Sequence, residues 1–384
     1  MDFKLSKEQI EICHEIREFS KKKLNKNVFE DDEASLFPAE KWKLCADFGI
    51  QGLPIPEEYG GSGQSMLDVA LAIEALGYGC KDEGLVFSIC AHMLTCVIPI
   101  WHFGTDKQKD TYLPGLISGD LIGGNGITEP DTGSDSAAMI TNVIKEDSQY
   151  IINGSKMFVT NAPVADLLVI YAKHPGGMKM LDVSAFIIDK ENQGLKVGQD
   201  FKKMGLRTST IGEVILDNCK VPLTSVLGRE RLGMKVFNYS MLWERIIMGA
   251  YHIGAMQQQF DMVLDYTNMR TQFGKKILKF QRIADMLVDM KMRIENSKLM
   301  LYRNCWNYDN NKVSMADASM LKLLTSESKV KNSMDAVQIF GAYGYMKESD
   351  VERQLRDSMA AKIYSGTSEI QRKIISECLE KYYE

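Results

Sequence analysis

A turn-rich segment with the sequence ITEPDTGSD, residues 127–135, gathers several small polar groups in one place. Thr128, Thr132, Gly133 and Ser134 offer backbone amides and hydroxyls there. Amides and hydroxyls that follow one another in a loop are suited to hold a phosphate or the edge of a flavin. The same residue types also form ordinary turns closed by Asx caps, so both interpretations are open at this point.

A carboxylate suited to acid–base chemistry lies in the segment SMLWERII, where Glu244 precedes Arg245. The neighbouring Trp243, Ile247 and Met248 predict that this carboxylate is partly removed from water. Desolvation disfavours the charged form of a carboxyl group, so we expect the pKa of Glu244 to be raised toward the range of a useful general base. The alternative is an ordinary helical glutamate that pairs with a nearby cation.

The chain changes its hydrophobic pattern twice, which predicts three domains. Residues 1–120 and 231–384 have helical periodicity, whereas residues 121–230 alternate in the manner of strands. Together they predict an α+β architecture in which a helical domain, a β domain and a helical bundle follow one another.

Local signals add detail to these domains. Ser6 and Gln9 have the spacing of a capping box and predict the start of the first helix. The dipeptide Asn153-Gly154, between two β-rich runs, predicts a hairpin turn. The helix around Glu244 is apolar on both sides, so we expect it to be buried at the centre of the molecule.

The composition argues against several classes of protein. With 384 residues, 45% of them apolar, the chain can build a large core from two or three packed subdomains. A net charge of −5, with no basic run longer than Lys21–Lys23, disfavours nucleic acid or an anionic membrane as a partner. The beginning of the chain lacks the pattern of a signal peptide, and no stretch of about 18 apolar residues is expected to span a membrane. Eight cysteines without a CxxC spacing and five histidines predict reduced thiols in a cytoplasmic protein without a metal site.

Seven motifs that occur in order along the chain closely resemble the acyl-CoA dehydrogenase family. They are PEEYGGSG (56–63), ITEPDTGSD (127–135), FVTN (158–161), MGLRTS (204–209), RTQFGKKI (270–277), QIFGAYGY (338–345) and YSGTSEIQR (364–372). The resemblance covers essentially the whole chain. It implies an N-terminal α-helical domain, a middle β-barrel-like domain and a C-terminal four-helix bundle, with FAD bound where they meet. It also implies a homotetramer built as a dimer of dimers.

The resemblance further implies which residues contact the cofactor. Those expected to line the flavin ring are Ile127, Thr128, Gly133, Ser134, Phe158, Val159 and Thr160. Those expected to reach the pyrophosphate and adenine side of a neighbouring subunit's FAD are Arg270, Phe273, Gln281, Gln338, Ile339, Phe340, Gly341 and Ala342. Those expected to close over the cofactor are Thr367, Ser368 and Glu369. An always-charged planar guanidinium such as that of Arg270 suits a pyrophosphate, although it is also typical of a solvated helix end.

The position of the catalytic base departs from the commoner family pattern. Many members carry a glutamate in the motif YEGT, whereas this sequence has YSGT and therefore Ser365. A serine hydroxyl without a partner cannot act as the base for a thioester α-proton. In the isovaleryl and long-chain branches the glutamate instead precedes an arginine on the buried central helix, as Glu244 precedes Arg245 here. We therefore expect Glu244 to be the base, with Ser134, Arg245, Ser365 and Gly366 at the substrate.

Several segments look most similar to the branch that oxidises prolyl groups on a peptidyl carrier protein. They are GLVFSICAHMLTCVIPI (84–100), TNAPVADLLVIYA (160–172), the WER triplet and YSGTS. In that branch the glutamate takes the prolyl α-proton while the β-hydrogen leaves as hydride to the flavin, on the way to a pyrroline or a pyrrole. In addition, Leu242 stands where CoA-using relatives commonly have an acidic residue near the thioester's polar arm. The implied partners are a peptidyl or acyl carrier protein that bears the substrate, and either oxygen or an electron-transferring flavoprotein as electron acceptor.

Two alternatives stay open beside the carrier-bound prolyl substrate. The first is a short- or branched-chain acyl-CoA dehydrogenase with its base on the same helix. The second is a relative that binds FAD but has lost dehydrogenation, as some nucleic-acid-associated members have. The net charge of −5 and the intact Glu244 argue against this second alternative.

Overall fold

The computed structural model describes residues 4–176 and 182–379, in which helices flank a central β region. The first helices are α1 (Lys7–Lys23), α2 (Val28–Ala34), α3 (Ala39–Asp47), α4 (Met66–Gly79), α5 (Glu83–His92), α6 (Ile98–Phe103) and α7 (Asp106–Ile117). The strands of the β region are β1 (Gly123–Gly126), β2 (Asn142–Lys145), β3 (Gln149–Thr160), β4 (Leu167–Lys173), β5 (Val183–Asp189), β6 (Leu195–Asp200), β7 (Ile211–Pro222) and β8 (Val226–Leu227). The remaining elements are α8 (Gly233–Met269), β9 (Thr271–Gln272), β10 (Lys275–Lys276), α9 (Gln281–Asp309), α10 (Met315–Phe340), α11 (Ala342–Tyr345), α12 (Asp350–Ala360) and α13 (Ser368–Ser376). The predicted α+β order of helical, β and helical regions is confirmed.

The first helix begins as its sequence predicts. The Gln9 amide donates to Ser6 Oγ at 3.1 Å, and the Ser6 amide donates to Gln9 Oε1 at 2.9 Å. Both donors would otherwise lack a partner at the helix N-terminus, so the capping box satisfies two of them. The basic run Lys21–Lys23 lies exposed in the last turn of α1, where positive charge is favourable at a helix C-terminus.

The expectation that the chain contains no helix long and apolar enough to span a membrane is wrong for the described residues. Residues Glu83–Phe103 form one continuous helical stretch of 21 residues with a mean hydropathy of 1.9. Its most apolar window is 94% buried inside the protein, because α5 and α6 cross the main core. The apolar character of this stretch is therefore explained by its place in the core.

Strands β1–β8 form a single sheet in the order β6-β7-β3-β2-β4-β5-β8, and β1 pairs in parallel with β4. The predicted hairpin turn at Asn153-Gly154 is wrong, because both residues lie inside β3, which pairs with β7 on either side of them. The register shifts there, and a Cβ on Gly154 would lie 2.5 Å from Thr141 Oγ1. Gly154 also has a φ of 148°. The glycine thus marks a bulge with a close backbone approach, which local sequence does not distinguish from a turn.

Strand β4 separates two cores by alternating its side chains. The residues that face the large helical core are Leu167, Val169 and Tyr171. The residues that face the core of the β region itself are Leu168, Ile170 and Ala172. A tyrosine of the β region thereby reaches the side of the sheet on which the C-terminal helices lie.

Helix α8 crosses the centre of the molecule and packs against α4, α9 and α10. Its contact with α4 is close because a Cβ on Gly77 would lie 2.6 Å from the Tyr251 carbonyl oxygen. A Cβ on Gly254 would lie 2.1 Å from the Glu74 carbonyl oxygen in the same crossing. The predicted central burial of this helix is confirmed, and it places Glu244 in the interior.

Candidate active site

The Glu244 carboxylate is buried on α8 and is 6% exposed. Its Oε1 accepts a hydrogen bond from the Ser365 hydroxyl at 2.6 Å. Burial raises the pKa of Glu244, while the Ser365 hydrogen bond and the Arg245 charge oppose part of that increase. The predicted desolvation and upward pKa shift of Glu244 are thus confirmed. Ser365, which stands where the commoner motif has its glutamate, contacts Glu244 directly.

A rigid turn presents Ser365 to the carboxylate. Ser365 and Gly366 have φ angles of 56° and 87°, in the left-handed region. Gln371 Nε2 donates to both carbonyl oxygens of the turn, at 3.0 and 2.8 Å. Arg245 Nε donates to the Ser365 carbonyl at 3.4 Å, and Lys322 Nζ donates to the Gly366 carbonyl at 2.7 Å. These bonds hold a backbone conformation that a serine rarely adopts.

The residue before this turn is anchored by a second buried pair. The Tyr364 hydroxyl lies 2.5 Å from Nε2 of His252. His252 stands on α8, about two helical turns after Glu244. Burial lowers the pKa of His252 well below its usual range, so the ring is neutral. The Tyr364 ring also packs on Phe87 of α5, with 4.7 Å between the ring centroids. Both ends of the turn are therefore fixed to the helices around it.

The loop at residues 127–135 rests on a buried ion pair. Glu129 and Lys156 are 1% and 0% exposed, and Nζ lies 2.8 Å from Oε1. The Glu129 carboxylate also accepts the backbone amides of Ile140 at 2.6 Å and Thr141 at 2.9 Å. Lys156 Nζ donates in addition to the Ile127 carbonyl at 3.2 Å. Because each charge is satisfied by several hydrogen bonds, the pair fixes the loop against β3.

The same contact brings together the two motifs predicted to line the flavin. The Met157 amide donates to the Thr128 carbonyl at 2.8 Å, and the register of β3 shifts between Lys156 and Val159. Phe158 in this bulge has a φ of 56° and is 60% exposed. Thr132 Oγ1 is buried and has no hydrogen-bond partner within the described ranges. An exposed aromatic ring and an unpartnered hydroxyl beside a polar loop fit the edge of a flat cofactor.

The residues predicted to reach the far end of FAD form a separate, largely exposed cluster around the end of α8 and the end of α10. Arg270 follows the last residue of α8, and its guanidinium lies 5.9 Å from the centroid of the Tyr343 ring. Phe273 is 93% exposed, whereas the Ile339 side chain packs into the core, and Phe340 stacks on Tyr266 at 4.0 Å. The other exposed members of the cluster are Arg270, Gln281, Gln338, Gly341 and Ala342. A contact from Ile339 to a ligand is therefore restricted to its backbone.

The three residues at the start of α13 have local structural roles. The Thr367 hydroxyl caps the helix by accepting the Ile370 amide at 3.3 Å. The Ser368 hydroxyl donates to Glu327 Oε1 at 2.7 Å and is buried. Glu369 stays exposed in the first helical turn, where a negative charge is favourable. These contacts position the segment directly after Gly366.

Two polar residues near the site were not predicted from the sequence. Asn125 Nδ2 donates to the Thr95 carbonyl at 3.3 Å and to the Tyr171 hydroxyl at 3.5 Å. The sequence could have indicated both residues. Asn125 stands among glycines two residues before the polar loop. Tyr171 likewise interrupts the aliphatic run LLVIYA.

Models of all three domains of acyl-CoA dehydrogenases match this chain. The N-terminal domain matches residues 6–120, the middle domain residues 124–219 and the C-terminal domain residues 231–379. The chain belongs to the acyl-CoA dehydrogenase family. It is thus an oxidoreductase of a family that acts on CH–CH bonds.

Relatives within this family have two kinds of described substrate. An L-prolyl-(peptidyl-carrier protein) dehydrogenase of a Serratia species is 39% identical over 379 residues, which cover 99% of this chain and 98% of the relative. A short-chain-specific acyl-CoA dehydrogenase of Clostridium acetobutylicum is 36% identical over 376 residues, covering 98% of this chain and 99% of the relative. The solved structure of PigA with FAD and proline superposes with a TM-score of 0.97 at 39% identity, covering 99% of each chain.

Proposed function

We propose that this protein uses FAD to remove hydrogen from the α- and β-carbons of a prolyl group held as a thioester on a peptidyl or acyl carrier protein. The observation that carries the proposal is the buried Glu244 carboxylate with its hydrogen bond from Ser365. Full-length similarity to a prolyl-carrier dehydrogenase and to PigA supports the prolyl substrate.

The residues around the polar loop fit FAD, which when bound accepts the hydride from the β-carbon. We assign the flavin edge to the loop at residues 127–134 and to Phe158, Val159 and Thr160. Arg270 and its neighbours at the exposed cluster would hold the pyrophosphate and adenine side, since a planar guanidinium binds phosphate oxygens in pairs.

Glu244 takes the α-proton of the substrate on its carboxylate. Because burial raises the pKa of Glu244, the proton is held there more firmly than on an exposed glutamate. The Ser365 hydroxyl fixes Oε1 and leaves the other carboxylate oxygen to approach the substrate. The Arg245 and Lys322 cations beside the turn favour negative charge on the thioester as the proton leaves.

Leu242 on α8 supports a carrier protein in preference to free CoA. Leu242 is half-buried against the core and offers no hydrogen-bond acceptor. A carrier protein presents the same phosphopantetheine arm but is anchored through its own surface, so an acidic contact to the arm is dispensable. Either oxygen or an electron-transferring flavoprotein would then reoxidise the cofactor.

An exposed apolar stripe supports a homotetramer. Val288, Met292 and Leu299 lie on one face of α9 and are 61%, 54% and 54% exposed. Phe273 and Met334 near this helix are 93% and 58% exposed. Patches of this kind are rarely left open to water, and a second copy of the chain would cover them.

A short- or branched-chain acyl-CoA dehydrogenase is the second candidate. It is favoured by the 36% identity to the short-chain-specific enzyme, and Glu244 would serve it equally well. A protein that binds FAD without dehydrogenation is less well supported, because the base and its hydrogen-bonding partner are both in place.

The mass of a prolyl-loaded carrier protein after incubation with the enzyme tests the proposal. Loss of two hydrogens supports a pyrroline-type product, and loss of four supports a pyrrole. Flavin bleaching without oxygen, compared between prolyl carrier, butyryl-CoA and isovaleryl-CoA, is the second measurement. Equal bleaching by the CoA thioesters would overturn the carrier assignment, and an unchanged carrier mass would remove the prolyl assignment as well.

A further inference from the structure

Strand β1 carries a single side chain toward the helical core. Its sequence is GGNG, so Asn125 stands between Gly124 and Gly126. A Cβ on either glycine would come within 2.8 Å of the side chain of Leu168 or Ile170 on β4. These two positions have no room for side chains, whereas Asn125 carries a half-buried side chain that contacts Thr95 and Tyr171.

The orientation of the Asn125 amide is fixed by an irregular helix. A π-turn at Met93–Val97 joins α5 to α6, a feature that is frequent at functional sites. Pro99 has no N–H to donate to the Thr95 carbonyl four residues earlier, and Asn125 Nδ2 donates to it instead. Since a carbonyl accepts only from a donor, the nitrogen must point to Thr95. Asn125 Oδ1 then has no protein partner in the parts of the chain that the structure describes.

Tyr171 lies next to this amide, and its ring packs against α8, the helix that carries Glu244. Its ring is fully buried and meets the Phe237 ring edge-on at 5.6 Å. Phe237 is seven residues before Glu244, on the same face of α8. Burial raises the pKa of Tyr171, and the Glu244 charge raises it further, so the hydroxyl keeps its proton. The Tyr171 oxygen accepts from Asn125, while its O–H has no acceptor among residues 4–176 and 182–379.

We propose that Asn125 and Tyr171 bind the ring nitrogen of a cyclic secondary amine whose α-carbon Glu244 deprotonates. A neutral secondary amine has one N–H and one lone pair. Asn125 Oδ1 accepts the N–H, and the Tyr171 O–H donates to the lone pair, so both unpartnered groups are satisfied at once. An aliphatic acyl chain would leave both unpaired, which makes the pair specificity-determining for amino-acyl over acyl thioesters. This inference rests on the proposed function.

The test compares two substrates that differ only at the nitrogen, L-prolyl and cyclopentanecarbonyl thioesters of the same carrier. The variants are Asn125→Leu and Tyr171→Phe, and Tyr302→Phe is the matched control, since it removes another hydroxyl bonded only to Glu74. We expect each test variant to lower kcat/KM for the prolyl thioester about 10- to 100-fold and to leave the carbocyclic thioester within about threefold. In Tyr302→Phe we expect kcat/KM for both thioesters to stay within about threefold of the wild type.

Equal losses on both thioesters would assign the two residues a purely structural role and overturn the inference. If both variants kept the wild-type preference for the prolyl over the cyclopentanecarbonyl thioester, the inference would be overturned as well, because the ring nitrogen would then be bound elsewhere. Either result, with wild-type protein that oxidises the prolyl thioester, leaves the proposed function standing. If the wild type oxidises short acyl-CoAs and neither carrier thioester, the proposed function fails and the inference fails with it. The isosteric Tyr171→Phe decides the question if Asn125→Leu does not fold.

Discussion

Replacing Ser365 by alanine should make Glu244 a base that is protonated at higher pH. The Ser365 hydroxyl donates to Glu244 Oε1 at 2.6 Å in a buried site, and this hydrogen bond stabilises the carboxylate form. A hydrogen bond to a charged group contributes about 1.5–3 kcal/mol, and 1.36 kcal/mol corresponds to one pH unit of titration. Alanine keeps the Cβ of serine, so the left-handed turn gains no new strain.

The assay is the pH dependence of kcat/KM for the oxidised thioester. With Glu244 as the proposed base, the rate depends on its deprotonated form and therefore falls as the pH drops below the pKa of this group. In Ser365→Ala we expect this acidic limb to move to higher pH by about one to two units. At pH values below the limb, kcat/KM should therefore be about 10- to 100-fold lower than in the wild type, and at pH values above it the two should be similar.

The matched control is Ser358→Ala, because Ser358 is a buried serine that donates only to the Leu355 carbonyl of its own helix. Its acidic limb should coincide with that of the wild type. A limb that stays in place in Ser365→Ala, or that moves to lower pH, would refute the reasoning that the Ser365 hydroxyl stabilises the ionised base.

Three further predictions follow from other buried or exposed charges. Glu129→Gln should lower the free energy of unfolding in urea by about 3–5 kcal/mol, because the buried Lys156 loses its charged partner. Adding Lys156→Met to this variant should restore most of the lost stability, and additive losses from the two substitutions would contradict this. Arg270→Ala should lower both flavin content and the tetramer fraction in sedimentation, so a fully loaded tetramer would contradict its assignment to a shared cofactor. Glu244→Gln should raise Tm more at pH 8 than at pH 5. Because the pKa of Glu244 is raised in the folded protein, the stability of the wild type falls as the pH rises above the pKa that Glu244 has in the unfolded chain. An equal Tm gain at both pH values would argue against this.

Local patterns predicted the elements well where neighbours in sequence decide the structure. The capping box at Ser6 needs only residues three apart, and the strand-like pattern of residues 121–230 forms strands β1–β8 as predicted. The hairpin at Asn153-Gly154 failed for the opposite reason. Whether a glycine turns the chain or admits a bulge depends on what approaches its backbone, and here that is Thr141, a residue of another segment.

The sequence by itself determined the family and the α+β order, and it singled out Glu244 as the carboxylate that we propose as the base. Ordered motifs and an apolar central helix are properties of the chain alone, and both point to Glu244. Only the tertiary structure decided what surrounds that carboxylate. Ser365 is 121 residues away from Glu244, and Tyr171 is 46 residues away from Asn125. Such contacts depend on how helices and sheet cross, and crossing angles are set by packing summed over many residues that no local pattern records.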